Sequence, residues 1–370
     1  MPRSIERAFK RALATVLRAV AGSTPPERPL PDSISRILVV RPHNQLGDML
    51  CATPLLRSLR HRYPDATITL ITSPVNHDVM IGLKLIDEVM CFDKRQFTHG
   101  GPAGALLLVR FIMNMRGKGF DVAIVPSTVS MSFTSDLLAR LSGAGLRIGP
   151  GSLDGTRNPS AFLFNLPVVL DWRQAPHRHQ TLRNLDIAHD LGLKETDLAH
   201  EMTLRDEEIR DAQAWFRQQS EGRQRGIAIH PGAGKPPNRW SSLGFARVAK
   251  ILAQETGARI FITTGPMDSE TITELQRHLE IEVAWIKDEP IRTVSARLQR
   301  MDLVISNDTG IMHVAAAVGT PVLSLFGPTD PEQWAPIGRK NCYIRGKEDR
   351  IETITVEEVL RTARQMIGRE

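Results

Sequence analysis

Leu303-Val-Ile-Ser-Asn-Asp-Thr-Gly310, continuing through Ile311-Met-His-Val-Ala-Ala-Ala-Val318 and Gly319-Thr-Pro-Val-Leu-Ser-Leu-Phe326, reads as strand, turn, helix, turn, strand. The run Leu303 to Ser306 is short and apolar, as a fully buried strand requires. Met312 to Val318 is an alanine-rich helix closed by Gly319-Thr320-Pro321, and Val322 to Phe326 is a second buried strand. Two such strands joined by a helix are parallel, and parallel sheets need helices on both faces. The helix start, Ser306 to His313, has the makings of an anion site. Its first N–H groups lack intrahelical acceptors, the dipole is positive at that end, and the site suits a diphosphate. Asp308 leads into it, Thr309 adds a hydroxyl, and Gly310 lets the backbone approach closely. An unoccupied Asp or Thr cap would carry the same tetrapeptide.

The same alternation extends upstream. Gly226 to His230, Arg259 to Thr263 and Glu282 to Trp285 are strand candidates, separated by helices at Ser242 to Thr256, Ser269 to Leu279 and Ile291 to Arg300. An earlier series has strands at Arg36 to Arg41, Thr67 to Thr72, Val89 to Phe92 and Asp121 to Pro126. Its helices run from about Asp48 to Arg62, Ala103 to Met115 and Phe133 to Leu141. The expected fold is therefore α/β, with two doubly wound Rossmann-like domains facing across a cleft and ligands beyond the carboxyl ends of the strands. The expected boundaries are 36–205 for an N-terminal domain and 206–345 for a C-terminal one. Residues 346–370 form a closing helix with the option of packing back on the first domain.

Residues 1–22 read as a basic amphipathic helix, followed by a Pro-rich linker, 23–35. Ile5, Phe9, Leu13, Val16, Leu17 and Val20 mark the apolar positions, with Arg3, Arg7, Lys10, Arg11 and Arg18 among the rest. That pattern suits an interfacial helix on anionic lipid and equally a helix packed on its own domain. With no apolar run of about 18 residues and no secretory signal, the expected location is the cytoplasm, with peripheral contact at the inner membrane through residues 1–22. Cys51, Cys91 and Cys342 are too scattered for a disulfide framework or a metal knuckle. His177, His179 and His189 are unevenly spaced, so no metal is assigned. At 5% aromatic residues, the basic side chains are not interleaved with stacking rings, which argues against nucleic acid. Gly232-Ala-Gly234 and Gly143-Ala-Gly145 meet Pro237 and Ile148 where a dinucleotide fingerprint needs glycine, and there is no Walker loop.

Four motifs in order carry a stronger signal than any one of them. They are Arg41-Pro-His-Asn44-Gln-Leu-Gly47-Asp48-Met49, followed by Pro54; His230-Pro-Gly-Ala-Gly234 with Asn238-Arg239-Trp240 and Phe245; Ser306 to His313; and Phe326-Gly327-Pro-Thr329-Asp-Pro331 with Trp334 and Pro336. Together they resemble the signature of glycosyltransferase family 9, the heptosyltransferases, over nearly all of residues 36–345. The resemblance implies the two-domain GT-B fold and a nucleotide-sugar donor, ADP-heptose by family habit, used as substrate with no cofactor. It implies a lipid-linked or oligosaccharide acceptor of the lipopolysaccharide core. It also implies an inverting single displacement in which Asp48 takes the acceptor proton, although a helix cap would place a carboxylate there too. Asp308, Thr309 and Gly310 would meet the donor diphosphate, with Gly47, Asn44, Gly327 and Thr329 lining the same cleft. The chain contains no Asp-x-Asp pair, so a divalent cation is not required by this reading.

The chain departs from the family where many members place Lys before the Arg-Trp pair and this one has Asn238. Lys235 or Arg239 is left to supply the phosphate-binding charge. Asp268, after Thr264-Gly-Pro-Met, reads either as a ribose ligand or as a helix cap, and His230 either lines the nucleoside site or is a buried structural histidine. Two other functions fit the architecture: a sugar-nucleotide epimerase, which needs no acceptor, and a noncatalytic saccharide-binding member.

Overall fold

The computed structural model describes residues 30, 31, 33–194 and 197–368, so the expected helix at 1–22 and most of the linker after it lie outside the described residues. The chain forms two compact units. The first comprises the described residues up to Asn44, with Pro54–His77 and Lys84–Asp197. Its strands are β1 (Arg36–Arg41), β2 (Thr67–Thr72), β3 (Glu88–Cys91), β4 (Val122–Ile124), β5 (Leu146–Leu153), β6 (Thr156–Arg157) and β7 (Leu166–Leu170). They are ordered β3-β2-β1-β4-β5-β6, with β7 also on β5, and every pair is parallel except β5 with β6. β1 and β2 are buried along their length after the first residue, as strands covered on both faces must be. Leu38, Val40, Ile71, Ala123 and Val125 from the sheet meet Leu138 and Phe164 in one core.

β5 to β7 were not anticipated from the sequence. Leu146–Leu153 contains Gly149-Pro150-Gly151, a run that reads as a chain break. Here the glycine serves packing: a Cβ at Gly149 would lie 2.1 Å from Cζ of the buried Phe164.

The second unit comprises Gln45–Thr53, Asp78–Leu83 and the chain from Leu198 onward. Its strands are β8 (Gly226–His230), β9 (Arg259–Thr264), β10 (Ala284–Lys287), β11 (Leu303–Asn307), β12 (Val322–Phe326) and β13 (Cys342–Arg345), all parallel in the order β10-β9-β8-β11-β12-β13. Helices Ser242–Thr256, Ser269–His278, Ile291–Gln299 and Gly310–Ala317 connect them.

Two expectations differ from the structure. The single helix expected from Asp48 to Arg62 is two helices, Leu46–Leu50 and Thr53–Arg62, and the shorter one belongs to the second unit rather than to a continuous 36–205 domain. Pro54 has no N–H to continue the first helix, and the Thr53 hydroxyl donates to the Leu50 carbonyl at 2.8 Å to turn the chain. Residues 78–83 also join the second unit. Arg292 donates to the carbonyls of Asp78, Ile81 and Thr203 while gripping the Glu208 carboxylate with two nitrogens at 2.5 and 2.6 Å. The closing helix, Val356–Ile367, belongs to the second unit. Val359, Leu360 and Ala363 lie in the second unit's core with Phe245 and Leu252, and Arg364 pairs with Glu255 on the neighbouring helix.

In the first unit, Asp136 on helix Phe133–Leu141 is buried and accepts from the Ser160 hydroxyl (2.5 Å) and the Asn158 amide (3.0 Å). Burial outweighs these bonds and raises its pKa from 3.8 to about 6. The folded value lies above the unfolded one, so the group's stabilising contribution is complete below pH 4 and is lost as pH rises through 6. Relative to Asp136→Asn, the wild-type chain should lose about 3 kcal/mol of unfolding free energy across that window, measured by urea denaturation at stepped pH.

Candidate donor and catalytic site

In the second sheet, strand order reverses between the neighbouring parallel strands β8 and β11, and ligands of open α/β sheets settle beyond the carboxyl ends of strands at such a point. Two loops emerge there: Pro231–Arg239 after β8, and Asp308-Thr309 after β11. They are bound to each other. Asn307, fully buried at the end of β11, donates to the carbonyls of Pro231 (2.8 Å) and Gly232 (3.3 Å) and accepts from the Trp240 backbone N–H at 3.1 Å. Asn238 donates to the Asp308 carboxylate at 2.9 Å and to the Thr329 hydroxyl at 3.1 Å, tying the β8 loop to the turns after β11 and β12.

Asn238 thus bridges two predicted site residues, a role the sequence did not suggest. Its amide helps to satisfy a largely buried carboxylate. Burial pushes the Asp308 carboxyl above the ordinary aspartate range, opposed by the Thr329 hydrogen bond and the nearby charge of Lys235. The two candidate cations are used differently. Arg239 donates through Nε to the Ala233 carbonyl (3.0 Å) and stands 3.8 Å from the Glu270 carboxylate, bracing the loop. Lys235 is exposed on the loop, within electrostatic reach of Asp308.

Thr309 is the N-cap of helix Gly310–Ala317, in extended conformation and without a side-chain cap bond. Gly327 is needed for proximity, because a Cβ there would lie 2.9 Å from the Pro237 carbonyl oxygen.

His230 ends β8 with Nδ1 3.1 Å from the Thr263 carbonyl and 2.8 Å from its hydroxyl. A carbonyl only accepts, so Nδ1 carries the proton. Burial lowers the ring's pKa, and the neutral imidazole presents Nε2 toward the Asp268 carboxylate at 3.8 Å. Asp268 occupies the N-cap position of helix Ser269–His278, but its carboxylate accepts from the Gly265 N–H at 2.6 Å instead of capping the helix. It also fills the space beside Gly232, where a Cβ would lie 2.1 Å from Oδ1.

Asp48 is half-buried in the first turn of helix Leu46–Leu50, whose N-cap position is held by Gln45 without a side-chain cap bond. The helix lies directly against Gly310–Ala317. A Cβ on Gly310 would touch Leu46 at 3.3 Å, and one on Gly47 would lie 2.6 Å from the His313 ring. Asp48, Gly47, the β8 loop, Asp308 to Gly310, Asp268, Gly327 and Thr329 therefore all belong to the second unit, while Asn44 belongs to the first. Among the described residues, no helix is long and apolar enough to cross a membrane.

An all-parallel α/β unit with interlocked polar loops and an uncapped helix start at its switch point, attached to a second α/β unit, has the two-unit GT-B type of fold. The family model of glycosyltransferase family 9 (heptosyltransferase) matches residues 108–362, more than half of the chain, and the protein belongs to that family. It is a glycosyltransferase, and the epimerase reading falls. The chain is 26% identical over 345 residues to lipopolysaccharide heptosyltransferase 2 of Escherichia coli K12, covering 84% of this chain and 88% of that one. Its fold is similar to the crystal structure of a family 9 glycosyl transferase from Veillonella parvula, with a TM-score of 0.79, 22% identity, and coverage of 91% and 98% of the two chains. It is also similar to the E. coli ADP-heptose heptosyltransferase II structure, with a TM-score of 0.74, 23% identity, and coverage of 90% and 98%.

Replacing Asn238 with Ala should leave the Asp308 carboxylate and the Thr329 hydroxyl without their shared donor. Removing one partner of a buried polar group costs about 1–3 kcal/mol, to be read from the urea midpoint of the variant.

Proposed function

We propose that the protein transfers a heptosyl group from ADP-heptose to a saccharide acceptor of the lipopolysaccharide core, by a single inverting displacement with Asp48 as general base. The observation that carries this reading is the packing of the Asp48 helix on the helix that starts at Gly310, within one unit. Attack and departure occur at opposite faces of one anomeric carbon, so the base and the leaving-group site must keep a constant spacing.

In this mechanism the Asp48 carboxylate accepts the proton of the acceptor hydroxyl as its oxygen bonds to the anomeric carbon. The bond from that carbon to the diphosphate breaks, and the nucleoside diphosphate leaves with the electron pair. Negative charge developing on the diphosphate meets the N–H groups and positive dipole end of helix Gly310–Ala317, the Thr309 hydroxyl and the ammonium of Lys235. These groups are in place before reaction, and the transfer needs no divalent ion at the diphosphate. We assign Lys235 rather than Arg239 to the phosphates, because Arg239 already braces Ala233. Asp268 and His230 shape the nucleoside end. Residues 1–22 would hold the enzyme against the anionic inner face of the membrane, where a lipid-linked acceptor is presented.

Asp48→Asn should lower kcat by about 10²- to 10⁴-fold, the usual contribution of general-base catalysis, with little change in donor binding. Lys235→Ala should instead raise the donor KM. Single-turnover assays with ADP-heptose and core acceptors, together with NMR of the product's anomeric configuration, check both. Undiminished turnover in Asp48→Asn, retention of configuration, or thermal stabilisation by a uridine or guanosine sugar but by no ADP-sugar would each overturn the reading.

A further inference from the structure

Three buried side chains from distant parts of the sequence converge behind the Asp48 helix. Cys51 is the C-cap of helix Leu46–Leu50, His200 lies in the extended segment before helix Asp206–Gln219, and His313 sits on helix Gly310–Ala317. They are 0%, 5% and 2% exposed, and one potential ligand atom of each lies within 4.8 Å of the other two. The Nδ1 atoms of His200 and His313 are 3.3 Å apart, with the ring planes tilted by 36°. Two imidazole nitrogens bound at about 2.0–2.1 Å to one tetrahedral ion stand roughly 3.3–3.4 Å apart, so the observed separation is the edge of such a tetrahedron.

The segments bearing these groups are already held together. The Glu201 N–H donates to the Thr53 hydroxyl at 3.1 Å, fixing the residue after His200 close to the chain after Cys51. The Met202 N–H donates to the Ala317 carbonyl at 3.0 Å, fixing the same segment to the helix of His313. The Cys51 N–H donates to the Gly47 carbonyl at 2.9 Å, and the absence of a Cβ at Gly47 lets the His313 ring approach. All of these residues lie in the second unit.

We propose that Cys51, His200 and His313 form a binding site for one borderline-soft divalent ion, for which Zn(II) is the chemical match, with a fourth tetrahedral position left to a non-protein ligand. A thiolate and two imidazoles select zinc over magnesium or calcium, which require oxygen. The ion would be a cross-link between the helix carrying Asp48, the 197–204 segment and the donor helix. It has no role at the diphosphate, so the site stands or falls independently of the transferase reading. Binding displaces the Cys51 thiol proton, and affinity therefore rises with pH through the thiol range.

The test uses the full-length chain, stripped with chelator and titrated with Zn(II) against a chromophoric competitor, and separately with Co(II). One equivalent of Zn(II) should bind and raise the thermal midpoint. Co(II) should give a thiolate-to-metal charge-transfer band in the near ultraviolet and the intense visible bands of a tetrahedral site. Cys51→Ser should abolish the charge-transfer band, and His200→Gln should weaken Zn(II) binding at least tenfold, each in a variant whose circular dichroism matches wild type. Cys342→Ser, on β13, should change neither. If the wild-type chain takes up less than half an equivalent of Zn(II) at micromolar concentration, the proposal fails, and this measurement needs no variant to fold. Tight binding that survives in both Cys51→Ser and His200→Gln would also overturn it.

Discussion

Nothing larger than hydrogen fits at residue 47. A Cβ there would enter the imidazole of His313, and one on Gly310 would press on Leu46. These two close approaches let a five-residue helix, far too short to persist alone, lie against helix Gly310–Ala317. The chain therefore leaves the first unit after Asn44, contributes residues 45–53 to the second and returns at Pro54. The detour puts a carboxylate from early in the sequence and a helix start from late in it on one packed body. The spacing between Asp48 and that helix start is thereby set by the packing of two helices.

Around that contact, several buried polar groups of the second unit are held by one another. Asn307 ties the β8 loop to β11, Asn238 ties it to Asp308 and Thr329, and Asp268 folds its own turn through the Gly265 N–H while facing a neutral His230. Each bond removes a desolvated group that would otherwise destabilise the loops and fixes a loop that would otherwise move. Arg239 braces a carbonyl, and Lys235 is left exposed.

Several features were legible in the chain itself, because the forces behind them are local. Buried parallel strands announce themselves as short apolar runs, and Gly226–His230 and Val322–Phe326 appear where the sequence places them. Helix Ser242–Thr256 shows its Ser241 cap and its Gly257 stop. β5 was illegible for an equally physical reason. Its Gly149-Pro150-Gly151 imitates a turn, and only the Phe164 ring shows why glycine is there. The two helices after Gln45 merged into one in the sequence, because apolar periodicity does not reveal that the faces on either side of Cys51-Ala52 are buried by different partners.

By itself, the sequence determined the two α/β units, the order of the four motifs and hence the family, because each depends on residues near one another along the chain. Tertiary structure alone decided that Asp48 belongs to the second unit, that Asn238 bridges Asp308 and Thr329, and that the closing helix packs in the second unit's core. It alone decided, too, that Cys51 meets His200 and His313. Each of these is a contact between residues far apart in sequence, set by how buried faces and small residues match in space. No local spacing along the chain encodes such matches.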